Sequence, residues 1–235
     1  MSLLTDLRNY WALDEASGNR ADTVGSVTLT DNNSVTSATG LFGTAAEFDA
    51  SNSEMLTNTT SGFDFYTNDF TINIWATKTV DSSSFIGLFS NRFGTVSNGW
   101  ITLGTRDRIL TLEVKSVTNI TASDSFNPHN QGWQMYTITY NATSKVLTLY
   151  RNTTSAGTAG AGTPEPGDAS NGISIGRWFE GAQHWDGLSQ GVGLWTRILD
   201  SDEIDELYNS GDGLAYANFG GGPAAENALA FGGGM

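Results

Sequence analysis

The chain has 235 residues, no cysteine, 38% hydrophobic and only 15% charged side chains, and a net charge of −14 from 11 basic and 25 acidic residues. That length buries a core without crosslinks, and the missing cysteine excludes disulfides, thiolate zinc sites and cysteine nucleophiles together. An acidic chain with no Lys/Arg cluster has no footprint for nucleic acid, and no run approaches the ~18 apolar residues of a membrane span.

The opening MSLLTDLRNYWALDE has no basic n-region, and Asp6 and Arg8 interrupt its apolar residues, so it does not read as a signal peptide. Alternation with period two then marks a series of short strands, expected around residues 10–13, 45–48, 85–90, 100–103, 173–176 and 188–195. In DFTINIWATK, Phe70, Ile72, Ile74 and Ala76 share one face, and Thr71, Asn73, Trp75 and Thr77 the other. RILTLEVKS sets Leu110, Leu112 and Val114 against Ile109, Thr111, Glu113 and Lys115. GWQMYTITY, the polar NATS and KVLTLYRN spell a hairpin. Residues 152–171, NTTSAGTAGAGTPEPGDASN, hold no large apolar side chain and predict a long surface loop. In GLSQGVGLW, strict alternation puts Leu188, Gln190, Val192 and Leu194 on one face and Ser189, Gly191, Gly193 and Trp195 on the other.

One helix is properly punctuated. Asp200 serves as N-cap with Glu203 three residues on, Ile204, Leu207 and Tyr208 line one face, and Gly211 offers the stop. From Ala215 the chain turns Gly- and Ala-rich, with FGGG at Phe219 and again at Phe231, too poor in apolar residues for a core of its own. The expected organisation is an all-β domain over 1–214 with one short C-terminal helix, and a tail over 215–235 available for attachment to a neighbour.

The strings YWALDEASGNRADTVGS and LTDNNSVTSATGLFGTAAEFDAS, then FTINIWATK, GWQMYTITYNATSKVLTLYRN and WDGLSQGVGLWTRILDSDEIDELYNSGDG, follow one another as in a known family. Together they resemble the LamG-like domains of the concanavalin A-like lectin/glucanase superfamily over about residues 8–214. The resemblance implies a two-sheet antiparallel jellyroll sandwich with its first and last strands adjacent. The start of the chain and the ending LYNSGDGLAY also resemble the stand-alone copies encoded by bacteriophages. That implies a virion protein made in the host cytoplasm, with other virion proteins or further copies of itself as partners through the tail.

Glucanases of this superfamily carry Glu-x-Asp-x-x-Glu on one strand face, since a retaining mechanism needs carboxyls roughly 5–5.5 Å apart. Here Glu203 and Asp205 start such a pattern on the helix, but position 208 is Tyr; Glu47 and Asp49 flank Phe48, but position 52 is Asn. His129 and His184 are the only histidines, and no Gly-x-Ser-x-Gly elbow accompanies them. No catalytic set is therefore assigned. Relatives often bind calcium through Asp side chains and loop carbonyls, which makes Asp14 and Asp49 worth inspecting. Where they often carry an acidic pair in the closing strand, this chain has Gln190 and Gly191. No cofactor or metal site is assigned.

A sugar-binding surface needs an exposed aromatic ring beside amides and carboxylates. RWFEGAQHWD supplies Trp178, Gln183, His184, Trp185 and Asp186 around a turn on the sandwich rim, with the tryptophans alternatively capping the core. The expectation is a non-enzymatic virion structural or surface protein with a lectin-like fold and weak, multivalent glycan binding. The alternatives are a dedicated carbohydrate-binding lectin module and a glycoside hydrolase.

Overall fold

The computed structural model describes all residues except 61, 64, 66, 92–99, 116–118, 161–171, 179–182 and 221–235. In chain order the strands begin with β1 (Leu7–Trp11), β2 (Thr30–Asn32), β3 (Thr36–Thr39), β4 (Thr44–Phe48) and β5 (Met55–Asn58). The middle of the chain forms β6 (Phe70–Ala76), β7 (Ile86–Ser90), β8 (Trp100–Arg106), β9 (Ile109–Lys115) and β10 (Asn119–Ser123). There follow β11 (Gln134–Asn141), β12 (Val146–Arg151), β13 (Thr154–Gly160), β14 (Ile173–Ile175) and β15 (Gly187–Trp195), then helix α1 (Ser201–Tyr208). They build two antiparallel sheets. One runs β13-β12-β11-β6-β15-β4-β3, with β1 also paired to β15; the other runs β10-β9-β8-β7-β14-β5-β2. The jellyroll sandwich expected from the sequence is present.

Between the sheets lies the main core. Ile72, Ile74 and Ile138 from the first sheet meet Leu88, Leu103 and Leu112 from the second. The alternation of β9 holds, with Leu110, Leu112 and Val114 fully buried. In β6, however, all seven residues are buried. Period two does separate its faces, but a second apolar layer covers the outer one. That layer joins Trp75, Met135 and Trp195 of the sheet to Leu3, Ile204 and Leu207. Helix α1 is thus a lid on the outside of the first sheet.

The helix is held as its sequence predicts. Asp200 accepts from the Glu203 N–H, and the Glu203 carboxylate accepts from the Asp200 N–H in return. Arg197 grips the same carboxylate with two hydrogen bonds of 2.6 and 2.7 Å. The stop differs: Asn209, not Gly211, takes the left-handed C-cap conformation at φ 47°. Asparagine tolerates this region because its short amide bonds locally, and the Asn209 amide donates to the Gly213 carbonyl.

Residues 215–219, set apart in the sequence as the start of a tail, pack on this same layer. Tyr216 stacks on Tyr10 with ring centroids 5.0 Å apart, and Phe219 lies edge-on to Tyr10 at 5.3 Å. Phe219 is 1% exposed. The first FGGG phenylalanine therefore belongs to the folded domain; the second, Phe231, lies outside the described residues.

Two strand expectations need correction. Residues 154–160 are not loop but β13, paired along β12. Ser, Ala, Gly and Thr give no hydrophobic alternation to read, yet an edge strand is held by its backbone ladder, with Ala159 buried in the core and Ala156 packed partly against it. The rest of that expected loop, 161–171, lies outside the described residues. The second correction concerns β15, whose register against β6 shifts between Gln190 and Gly193. Gly191 sits in this bulge at φ +59°. A bulge inserts one residue and reverses which face the side chains meet. Val192 and Leu194 enter the main core, while Gln190 lies opposite Trp75, on the outer face. There the Gln190 amide uses its full capacity. It accepts from the Leu41 and Phe42 N–H groups and donates to the Phe42 and Thr44 carbonyls.

Two polar groups, one fully buried and one half-buried, organise the first loop. Arg20 is fully buried and donates to the carbonyls of Gly18, Val35 and Thr36. Asp22 accepts from the Asn9 amide and from the N–H groups of Tyr10, Val24, Gly25 and Val27. Burial pushes the Asp22 pKa up, but these bonds more than reverse it and hold it below the ordinary carboxylate value.

Candidate functional site

The stretch expected to form a rim cluster is a connection between β14 and β15 that folds back on itself. Arg177 and His184 pair as an isolated antiparallel bridge, and the Trp178 N–H reaches the Gln183 carbonyl at 3.2 Å. This connection presses on the second sheet at Gly87, where an added Cβ would lie 2.2 Å from the Trp178 nitrogen. Only glycine permits that approach.

The five expected site residues do not share one surface. Trp178 is partly buried, edge-on to Phe85 at 4.9 Å, with Gln183 at the base of the same turn. His184 is 5% exposed, its Nδ1 3.2 Å from the Glu54 carbonyl. Burial, and then Arg177, lower its pKa. Trp185 is fully buried, and its indole N–H donates to the Thr77 carbonyl at 2.8 Å. The Lys78 ammonium covers the Trp185 ring at 4.9 Å from its centroid. Trp185 therefore fills the core and offers no face to a ligand. Its neighbours in sequence differ because strand alternation sends them to opposite sides.

Asp186 faces outward. Its carboxylate accepts from the Ala50 N–H at 3.3 Å and from the Thr79 hydroxyl. It stands at the edge of a groove of about 650 Å³ between the ends of β3, β4 and β15, the segment after β6, and the 3-10 turn Ala50–Asn52. Glu47, Asp49, Glu54 and Asp186 bring carboxylates to this groove. Thr36, Thr77 and Thr79 add hydroxyls, and Asn52 an amide. Phe48 and Leu188 supply apolar lining.

These polar groups are held in place. Asp49 caps the 3-10 turn, accepting from the Ser51 N–H at 2.8 Å and the Ser51 hydroxyl at 2.6 Å. Those bonds draw its pKa down. Glu54 is 4% exposed and accepts from the Asp49 N–H at 2.8 Å. Its burial raises its pKa. Glu47 takes a bond of 3.2 Å from the Thr36 hydroxyl.

The sequence reading found Asp186 and Asp49 but not the groove that joins them. Glu54 and Thr79 carried no signal beyond a polar loop, because their convergence depends on β4, β6 and β15 meeting at one rim. Asp14, the other residue singled out for calcium, is exposed beside Tyr10 and Thr23, in a smaller pocket. Among the described residues no three acidic or histidine side chains converge as a metal site. Nor is any helix among them long and apolar enough to cross a membrane.

Solved structures with the same architecture include toxin binding domains and a domain of a glycoside hydrolase. The binding domain of Paraclostridial Mosquitocidal Protein 1 superposes with a TM-score of 0.73 at 17% identity, over 87% of this chain and 52% of that one. The binding domain of botulinum neurotoxin DC, solved in complex with SialylT, gives 0.68 at 15% identity, over 87% and 51%. The chain thus spans about half the length of the toxin domains it matches. Domain 4 of AbnA, a GH43 extracellular arabinanase from Geobacillus stearothermophilus, was solved with arabinotriose. It gives 0.67 at 16% identity, over 86% of this chain and 97% of that domain. No curated protein matches in sequence. A family model described as the concanavalin A-like lectin/glucanases superfamily matches residues 49–205, and the chain belongs to that superfamily.

Proposed function

We propose that this protein is a non-enzymatic glycan-binding module whose ligand lies in the rim groove beside Asp186. The observation that carries the reading is the groove itself. It combines about 650 Å³ of open volume with fixed carboxylates, hydroxyls and an amide over a small apolar patch. A sugar needs this mixture: paired acceptors for its hydroxyls and an apolar surface for its ring. The fold adds support, since a domain of similar extent was solved with a trisaccharide.

Catalysis is the second reading, favoured by Glu54 and Asp49, adjacent carboxyls with pKa values pushed in opposite directions. Their bonds argue against it. Glu54 is engaged with the Asp49 N–H and the Asn52 amide, and Asp49 with Ser51 and Asn52. Both build the turn. Screening on a glycan array, followed by calorimetry with Asp186→Asn, tests the binding reading. Loss of at least tenfold in affinity with an unchanged melting curve is expected. Undiminished binding by the variant sinks the groove, and Asp186-dependent release of reducing ends sinks the non-enzymatic assignment.

The setting we propose is a virion, with the module displayed in many copies. An open groove gives weak single sites, and multivalency makes weak sites effective. Attachment is assigned to the Gly/Ala-rich segment 221–235, beyond the docked Phe219. Deleting 221–235 should abolish incorporation into particles and leave the fold intact; normal incorporation overturns this role.

A further inference from the structure

The groove carries information about which glycans it accepts, beyond the proposal that it binds them. Four carboxylates line it, and among the described residues no Lys, Arg or His side chain does. The nearest ammonium is Lys78, between the two groove threonines Thr77 and Thr79 in sequence. Strand alternation turns it away, and it is 3% exposed over Trp185. Burial lowers its pKa to about 8 against the opposing pull of Asp186, and it presents no donor to the groove.

Hydrogen bonds to Ala50, Ser51, Thr36 and Asp49 fix the four carboxylates in place, so a ligand meets the exposed Glu47 and the half-buried Asp186 without reorganisation, with Asp49 and Glu54 adding fixed negative charge beside them. An ionised carboxylate accepts from hydroxyls, and forms shorter, stronger bonds with an ammonium. A ligand carboxylate or sulfate in the same place would be desolvated with no cation among the described lining residues, against negative neighbours. Such an unpaired charge is a strong means of rejection. The net charge of −14 extends the same bias beyond the groove.

Resting on the glycan-binding reading, we propose that the groove selects by charge. It takes amine-bearing sugars in preference to neutral ones and excludes uronic, sialylated and sulfated glycans.

Three β-1,4-linked tetramers isolate the charge on one backbone: cellotetraose, the glucosamine tetramer, and the glucuronic acid tetramer. Titrations of the whole protein at ~20 mM salt should give the amine at least tenfold tighter binding than the neutral sugar and no binding by the uronate. At ~0.5 M salt, where screening shortens to a few ångströms, the difference should fall below threefold. The control is the pair Glu47→Gln and Asp186→Asn, each checked for an unchanged melting curve. Both should weaken the amine preference, and the second should admit the uronate.

Equal binding of all three tetramers overturns charge selection and leaves glycan binding standing. An amine preference unaltered by either variant overturns it as well, because the amine is then held by the general acidic surface. Failure of every tetramer to bind, together with a blank glycan array, removes both readings.

Discussion

Two acidic regions of this molecule have opposite character. At the seat of α1, the buried Glu203 carboxylate is neutralised by two bonds from Arg197, with the Met1 ammonium 3.6 Å away. At the rim groove, Glu47, Asp49, Glu54 and Asp186 are held by N–H and hydroxyl groups, and among the described residues no cation lines the space before them. The first arrangement is closed in charge and serves the fold. In the second, Asp49 and Glu54 build the turn while the exposed Glu47 and the half-buried Asp186 face the groove, at the cost of mutual repulsion. Counting carboxylates separates neither; what each one already bonds to does.

The largest effect should come from the core residue that precedes Asp186 in the chain. Trp185→Ala removes a fully buried indole and its bond to Thr77, and should cost about 4 kcal/mol. Urea denaturation measures this directly. A stable variant that has lost only binding would instead make Trp185 a ligand contact and break the division between core and groove.

Next comes Glu203→Gln, which leaves Arg197 without its counter-charge and should cost about 3 kcal/mol. The acid response sharpens the comparison. Burial pushes the Glu203 pKa up, but the Arg197 bonds and charge carry it below its ordinary value. Its contribution is therefore present above the unfolded carboxylate pKa and lost as pH falls through the lower folded one. Glu54 behaves oppositely. Its folded pKa is raised, so its cost at neutral pH is relieved as pH falls through that value. Denaturation of wild type and Glu203→Gln from pH 7 to pH 3 should show a flatter acid loss in the variant. Parallel curves would remove Glu203 as a determinant of acid stability.

How much of this was readable from the chain depends on whether a local pattern or a distant contact decides. The capping box at Asp200 and Glu203 and the alternation of β9 are local, and both appear as expected. The burial of both faces of β6 is not local, since α1 arrives from more than 120 residues away. The split of QHWD into core and groove follows from alternation once the strand's neighbours are known. What hid it was the single bulge at Gly191, which places Gln190 and Val192 on different faces despite their even spacing. Gly191→Ala tests that device. A Cβ there meets a positive φ and a Phe42 ring carbon at 2.8 Å, so about 2 kcal/mol should be lost. A neutral result would show that the bulge tolerates a side chain and that its register is set elsewhere.

The smallest effect on stability should separate Asp186 and Trp178, two half-buried members of the expected cluster. Asp186→Asn keeps an acceptor for Ala50 or Thr79 and should change stability by under about 1 kcal/mol. Trp178→Ala loses its edge contact with Phe85 on the far side of the turn and should cost about 1 kcal/mol. Their binding phenotypes should diverge, with Asp186→Asn weakening glycan affinity and Trp178→Ala leaving it unchanged. The reverse result would move the site from the carboxylate groove to the outer face of the second sheet, where Phe85 also carries the Arg106 guanidinium at 4.9 Å. There a sugar would be held by an aromatic ring beside a cation, and the charge preference inferred for the groove would invert with it.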